Sequence, residues 1–357
     1  TPTTQIYTLS LHDALPICEG LTAYMADHLL QEQKGAGAEY RRQILQKYRD
    51  FVRQNDDFPL TQFRSRHSPA TEAVGYGKSA MFFHELRNHL GDTLFIEGIR
   101  RFYRQFQFRS ASFNDLRDVF SEVSKKDLGK FVQERVERKG APEISLSKVK
   151  KSASGEKTLL QFSLEQKGEL FSTLDVPIVI TLENGRAEKT IVRLDEKVKP
   201  VAVFLSGTPV RLDVDPHFDV FRRLSRAELP PSIGQIFGAG EMALSLPSLA
   251  SQEEKERYEN MARAWAKGKK AEVFFHGELK EFPKDRSAWI FGERNRFAPR
   301  EWLQFLGVSF DEKGISSPHT GKIPWKGHSI VLTLAHPVHE EMALGWVVAD
   351  PPEAIPG

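Results

Sequence analysis

Residues 75–91 read GYGKSAMFFHELRNHLG, and the second part of this stretch has the spacing of a helix. Phe82, Leu86 and Leu90 are four residues apart, so their side chains fall on one helical face. Gly91 stands where a C-cap glycine belongs, because glycine readily adopts the left-handed conformation in which many helices end. The pattern therefore predicts a helix over Lys78–Leu90.

Five further segments of the first 140 residues show the same helical spacing. They are Glu19–Glu32, Glu39–Gln54, Thr93–Phe106, a segment that begins at Ser112, and Leu128–Arg138. Ser112 and Asp115 form a weaker version of the Ser-x-x-Glu capping box, which marks a helix start. Gly140 and Pro142 end the last helix, because neither residue continues a helix well.

From Glu143 to about Val214, apolar residues alternate with polar ones, which is the period of a half-buried strand. Asn184-Gly185 stands between two such runs and predicts a tight hairpin, since both residues tolerate the backbone angles of such a turn. The region is predicted to be a small antiparallel β-domain of about six strands.

From Pro216 onward, strand and helix patterns alternate. A strand is predicted at Met242–Leu246, an amphipathic helix at Glu253–Ala266, and further strands as far as Leu344–Val348. Strands that are separated by helices favour an α/β domain with a largely parallel sheet.

The composition of the 357-residue chain is that of a globular protein, with 40% apolar and 27% charged residues. The length suggests two or three domains, at about 100–200 residues each. Because the 50 basic residues are nearly balanced by 48 acidic ones, there is no electrostatic case for nucleic acid as a partner. The apolar runs fall short of the roughly 20 residues of a membrane span. The single Cys18 excludes an internal disulfide and a cysteine-rich zinc site.

Both ends of the sequence have the character of breaks in a longer protein. Residues 1–17, TPTTQIYTLSLHDALPI, show no helical or strand period and no signal-peptide pattern. They resemble a translated sequencing-adapter artefact, so we set them aside as a non-native leader. At the other end, the turn-rich residues 349–357 follow an apolar strand pattern directly.

The chain contains no complete catalytic motif of its own. His84 and His89 are five residues apart, so on a regular helix, at ~100° per residue, they point about 140° away from each other and cannot share a metal ion. We expect them to be surface or packing residues. The run Asp213–Asp219 lacks the glycine and the glutamate of an EF-hand loop, and predicts a solvated turn after a strand.

Two short segments resemble the alanyl aminopeptidase family of zinc metallopeptidases. Residues 18–24, CEGLTAY, are similar to the segment that carries the family's third zinc ligand, roughly Trp-x-x-Glu-Gly-Phe/Leu-Ala/Thr-x-Tyr. Residues 75–80, GYGKSA, are similar to its downstream Tyr-x-Lys-Gly/Ala segment, which precedes a helix that ends in Leu-x-x-x-Leu-Gly. The resemblance covers residues 18–140 well and the β-domain loosely.

The resemblance implies a peptidase that removes N-terminal residues from peptides, with one zinc ion as cofactor. Glu19 would be a zinc ligand, and Tyr76 would be the catalytic phenol that hydrogen-bonds the oxyanion formed during attack by zinc-activated water. We expect both side chains to face one cavity. If the resemblance is set aside, the simpler interpretation is that Glu19 compensates a helix dipole and that Tyr76 packs its ring in a turn between two glycines.

The chain departs from the family on the amino-terminal side of Glu19. The His-Glu-x-x-His segment and the substrate-anchoring glycine-rich strand precede this position in the family, and the tryptophan is replaced by Pro16-Ile17-Cys18. Because a catalytic zinc ion takes three protein ligands, we expect this chain alone to be inactive. The alternative is a non-catalytic, peptidase-like binding protein whose C-terminal α/β domain recognises a partner or a small ligand.

The predicted fold class is multidomain α+β. Its parts are the leader at 1–17, the helical half of a gluzincin catalytic domain at 18–142, a small antiparallel β-sandwich at 143–216, and an α/β domain of unknown role at 217–357. Peptides are the expected partners.

Overall fold

The computed structural model describes residues 16–53, 55–155, 157–168, 172–268, 270–275, 278, 281–305, 307–311, 313–317 and 321–349. They fall into two compact units, Thr1–Leu224 and Ser225–Gly357. The leader predicted at 1–17 lies outside the described residues except for its last two positions, which begin a helix. In the described part of the chain, no helix combines the length and apolar character that a membrane crossing needs.

In the described part of unit Thr1–Leu224, six helices come first. They are α1 (16–33), α2 (Gly37–Phe51), α3 (69–90), α4 (Asp92–Phe106), α5 (Phe113–Ser124) and α6 (129–137), with a 3₁₀ turn at Leu60–Gln62. Three of them contain a π-helical segment: Ala23–His28 in α1, Ala73–Lys78 in α3 and Gln133–Glu137 in α6. All six predicted helices are therefore confirmed, although α3 begins earlier than the sequence pattern indicates.

Local capping explains where the helices start and stop. Ser68 accepts a hydrogen bond from the Thr71 backbone N–H, so α3 starts at Pro69. Ser112 and Asp115 form the predicted capping box of α5. Gly91 has a φ of +84°, which lets the chain turn between α3 and α4 without the clash of a side chain.

Six strands follow the helices. They are β1 (Glu143–Ser154), β2 (Lys157–Lys167), β3 (Leu174–Leu182), β4 (Ala187–Leu194), β5 (Val198–Leu205) and β6 (Pro209–Val214). They form two three-stranded antiparallel sheets, with the strand orders β1-β2-β5 and β4-β3-β6. The apolar residues of both sheets form one shared core. The predicted hairpin at Asn184-Gly185 is confirmed, since β3 and β4 pair on either side of it.

Unit Ser225–Gly357 has an α/β structure. Its helices are α7 (Ile233–Phe237), α8 (Gln252–Ala266) and α9 (Arg300–Phe305), after a 3₁₀ turn at Arg226–Glu228. Its strands are β7 (Met242–Ser245), β8 (Ala271–Phe274), β9 (Ser287–Phe291), β10 (Ser309–Asp311), β11 (Gly314–Ser317), β12 (Gly321–Pro324), β13 (Ser329–Ala335) and β14 (Ala343–Ala349).

The main sheet of this unit has the order β13-β14-β9-β7-β8 and is parallel except between β13 and β14. Met242 and Leu244 lie in a core on one face of the sheet, with α8, and the intervening Ala243 lies in a core on the other face. The prediction of a largely parallel sheet is confirmed. The small antiparallel sheet β10-β11-β12 was not predicted from sequence.

The described structure is thus a mixture of helices and sheets. The domain boundaries after residues 142 and 216, and the assignment of each part to a named domain, stay predictions.

Candidate functional site

Glu19 lies in the first turns of α1 and is partly buried. The next residue, Gly20, is where α1 touches α3: a Cβ atom at Gly20 would lie 2.3 Å from the Ser79 Cβ atom. No side chain fits at that distance, so glycine is needed for the close approach of the two helices. This contact brings Glu19 next to the residues that precede Ser79 in α3.

Tyr76 lies on the π-helical segment of α3, between Gly75 and Gly77. A Cβ atom at Gly75 would overlap the Phe63 ring at 2.1 Å, and the Phe63 ring in turn meets the Tyr76 ring edge to face at 6.0 Å. The two glycines therefore serve packing, and Tyr76 lies inside a helix rather than in a turn. π-Helical insertions of this kind are frequent at functional sites.

The Glu19 and Tyr76 side chains meet across the α1–α3 contact. Partial burial, and then a side-chain hydrogen bond with the Glu19 carboxylate, raise the pKa of the Tyr76 phenol above its ordinary value. The phenol is therefore protonated at neutral pH and acts as a hydrogen-bond donor. Tyr76 also lines a cavity of about 60 Å³ with Tyr40 and Glu72. That Glu19 faces this cavity as well stays a prediction.

The described residues do not supply a complete metal site. No group of three histidine, cysteine, aspartate or glutamate side chains among them is arranged to hold a metal ion. A catalytic zinc ion takes three protein ligands, whereas Glu19 offers a single carboxylate, which lies close to the Tyr76 phenol. The residues that are described therefore do not fit a zinc ion on their own.

His84 and His89 are packing residues, as predicted. His84 is buried, and its Nε2 atom lies 2.9 Å from Asp219 Oδ1. His89 Nδ1 lies 3.3 Å from Asp175 Oδ2, and its ring stacks on Phe131. The two side chains thus contact different partners.

A buried polar cluster beside α1 and α3 was not predicted from sequence. Its members are Tyr24, His28, Arg41, His84, Arg87 and Asp219. Asp219 Oδ1 forms an ion pair with Arg41 Nη2 and accepts a hydrogen bond from His84 Nε2, both at 2.9 Å. Burial raises the pKa of Asp219, but the hydrogen bond from His84 and the positive charge of Arg41 hold this pKa below its ordinary value. The segment after β6 is thereby fixed to helices α2 and α3.

Both histidines of this cluster are neutral. Burial lowers the pKa of His28 to about 3, and electrostatic interactions with His84 and with the Arg41 guanidinium lower it further. Arg41 Nη1 lies 2.7 Å from His28 Nε2 and donates to it, which requires an unprotonated acceptor. Burial also lowers the pKa of His84, against the opposing effect of the Asp219 hydrogen bond. The signal in the sequence was that Tyr24 and His28 lie in an apolar helical stripe, where a polar side chain needs a buried partner.

The predicted turn after a strand at Asp213–Asp219 is present, and His217 in it is exposed, but the turn is not solvated at Asp215. Asp215 is fully buried, and its carboxylate accepts hydrogen bonds from Arg222 Nε at 2.9 Å and from the Asp219 backbone N–H at 2.6 Å. Burial nevertheless raises the pKa of Asp215 to about 6. Asp215 thus fixes, by these two hydrogen bonds, the turn that leads from β6 back to the helices.

Comparison with known proteins gives the class of the helical part. Residues 5–134 match the Peptidase family M1 domain. The match begins inside the segment that we set aside as a leader, and it ends within α6. A stretch of 73 residues, 20% of this chain, is 33% identical to aminopeptidase N of Lactococcus lactis subsp. lactis.

A solved structure is also similar to this chain. The crystal structure of Legionella pneumophila aminopeptidase A in complex with aspartic acid matches 59% of the chain with a TM-score of 0.40 and 18% identity. The matched regions span 9% of the Lactococcus protein and 24% of the Legionella protein. The resemblance deduced from sequence is confirmed for residues 5–134, which match the peptidase family M1 domain and include a stretch similar to an aminopeptidase.

Proposed function

We propose that this chain is part of a zinc-dependent aminopeptidase that hydrolyses N-terminal residues from peptides. The observation that carries this proposal is the close contact of α1 with α3 at Gly20 and Ser79, which brings Glu19 close to Tyr76. Glu19 and Tyr76 are the two residues to which the family resemblance gives a role, and they lie far apart in the sequence. The match of residues 5–134 to a peptidase domain supports the same assignment.

In this proposal Tyr76 is the residue that stabilises developing negative charge. Its phenol is protonated, lies on a helix that is fixed by the Phe63 contact, and is only partly buried. A donor that is positioned in advance stabilises an oxyanion because no reorganisation is needed at the moment of reaction. In this chain Glu19 interacts with the Tyr76 phenol, and in the active protein Glu19 would bind zinc.

Tyr76→Phe in the full-length gene product tests this role. We expect kcat for an aminoacyl-p-nitroanilide to fall by about 10²–10³, the usual effect of losing an oxyanion donor, with KM nearly unchanged. The matched control is Tyr40→Phe, which alters a second tyrosine of the same small cavity. Equal activity of Tyr76→Phe and the wild type would refute the assigned role.

We further propose that this chain by itself neither binds zinc at catalytic-site affinity nor hydrolyses peptides, since Glu19 is the single zinc ligand that the resemblance assigns among the described residues. The test is titration of the purified chain with zinc against a chromophoric chelator. A stoichiometric site of nanomolar affinity would contradict the proposal.

The coding sequence that precedes Glu19 separates the enzyme from the binding-protein alternative. An intact His-Glu-x-x-His motif there supports the aminopeptidase, because two histidines four residues apart share one helical face. A motif that has lost a histidine supports a non-catalytic protein whose α/β domain, predicted at residues 217–357, recognises a partner.

A further inference from the structure

A large cavity lies between the helices and the second sheet of unit Thr1–Leu224. Its volume is about 890 Å³, and it is lined by α3, α6, β3, β4 and the segment 217–220. Neither Glu19 nor Tyr76 lines it. Cavities of about 300–1,000 Å³ are typical of sites for small organic molecules, so this cavity is large enough for a ligand.

Part of the cavity wall is apolar and rigid. Ile178 and Val220 are buried residues of the β-core and line it together with Phe131. The Arg135 guanidinium lies 3.9 Å from the centre of the Phe131 ring, and the His89 ring stacks on the same residue. These contacts fix the aromatic ring, so this wall suits an apolar group of defined shape.

Each of the three carboxylates that line the cavity is already paired with protein donors. Glu85 accepts from Arg135 Nε at 2.6 Å and from the Phe221 backbone N–H at 2.7 Å. The other two are Asp175, which meets His89 and Arg193, and Asp219, which meets Arg41 and His84. No carboxylate is therefore left over to attract a cation.

Two positively charged groups on the cavity wall still have donors to offer. Arg135 uses Nε for Glu85 and Nη2 for the Thr173 carbonyl, and its Nη1 has no acceptor among the described residues. The side chain is 12% exposed, so the guanidinium is held in place. Lys189 on β4 is exposed and likewise has no described acceptor for its ammonium group.

We propose that this cavity binds a small organic monocarboxylate with an apolar body, whose carboxylate is held by Arg135 and Lys189. Charge-assisted bonds to a carboxylate satisfy both free donors. The apolar body contacts Phe131, Ile178 and Val220.

The test uses the purified chain and two ligands that differ in one charge, N-acetyl-leucyl-phenylalanine and its C-terminal amide. Acetylation removes the free amino group that the proposed peptidase would need, so binding here is independent of the proposed function. Isothermal titration calorimetry is expected to show binding of the acid and at least tenfold weaker binding of the amide, since a charge-assisted bond contributes about 1.5–3 kcal/mol.

Variants locate the site. Lys189→Gln is expected to weaken binding of the acid about tenfold and to leave binding of the amide unchanged. Lys34→Gln, at an exposed lysine outside the cavity, is the control and should leave both unchanged. Lys189 is exposed, so loss of folding does not confuse the result. The proposal is overturned if the acid and the amide bind equally, if neither binds at millimolar concentration, or if Lys189→Gln and Lys34→Gln behave alike.

Discussion

Replacement of Asp219 by asparagine tests the buried polar cluster most directly. The carboxylate forms an ion pair with Arg41 and accepts a hydrogen bond from His84, and the Arg41 side chain is 8% exposed. Removing one partner of a buried ion pair costs about 3–5 kcal/mol, because the other charge is left buried. We expect about 3 kcal/mol, the lower end, since asparagine keeps one acceptor and the Asp219 side chain is 22% exposed.

The chain offers a matched control at Asp213. Its side chain is 23% exposed, nearly as Asp219, but its partner Arg211 is 72% exposed. Surface pairs contribute at most about 1 kcal/mol, so Asp213→Asn should be nearly neutral. The two variants therefore separate the effect of a buried partner from the effect of the substitution itself.

Native-state hydrogen exchange is the appropriate assay, because a chain of two compact units need not unfold in a single transition. In Asp219→Asn, amides of α2 and α3 should exchange more than 100-fold faster, which is about 3 kcal/mol at 1.4 kcal/mol for each factor of ten. If Asp219→Asn and Asp213→Asn change these rates equally, Asp219 does not anchor the helices and the reasoning fails.

Three further predictions follow from the same contacts. His28→Gln should flatten the loss of stability below about pH 6.5 in urea unfolding. The folded pKa of His28, about 3, lies below its unfolded value, so the unfolded chain takes up the proton first and acid destabilises the wild type; an unchanged pH profile in His28→Gln would contradict this account. Gly20→Val should lower the free energy of unfolding by about 1–3 kcal/mol through overpacking against Ser79, and should shift the spectroscopic titration of Tyr76 to lower pH. Gly240→Val, where a side chain has open space, should change neither. An unchanged Tyr76 titration in Gly20→Val would show that the helix contact does not position the phenol. Tyr48→Phe should lower the free energy of thermal unfolding by about 1–3 kcal/mol, because the buried Tyr48 phenol donates a hydrogen bond to Asp57 at 2.7 Å. Tyr76→Phe should lower it by less than about 1 kcal/mol, and the opposite order would contradict the assigned burial.

The Glu19–Tyr76 pair shows how far sequence reasoning extends to the candidate site. The family resemblance selected both residues, and in the structure the contact between α1 and α3 brings the Glu19 carboxylate close to the Tyr76 phenol. The zinc role of Glu19 and the catalytic role of Tyr76 stay predictions. The sequence could not predict the contacts that bring the two residues together. No periodicity shows that Gly20 packs against Ser79 or that Gly75 makes room for the Phe63 ring.

The sequence alone determined the secondary structure where the pattern was local and repeated. Apolar spacing and capping residues placed the six helices, and Asn184-Gly185 placed the hairpin between β3 and β4. One helix start was missed, because Gly75 and Gly77 read as helix breakers although α3 passes through them. Short-range patterns report short-range interactions, which is why they predict elements better than contacts.

Only the tertiary structure decided which polar residues are buried and with whom. The aspartates after β6 have the composition of a solvated turn, yet Asp215 is paired with Arg222 in the core and Asp219 with Arg41 and His84. Whether a charge is exposed or buried depends on partners that are distant in the chain. The physical reason is that desolvation and pairing act between neighbours in space, and folding alone determines those neighbours.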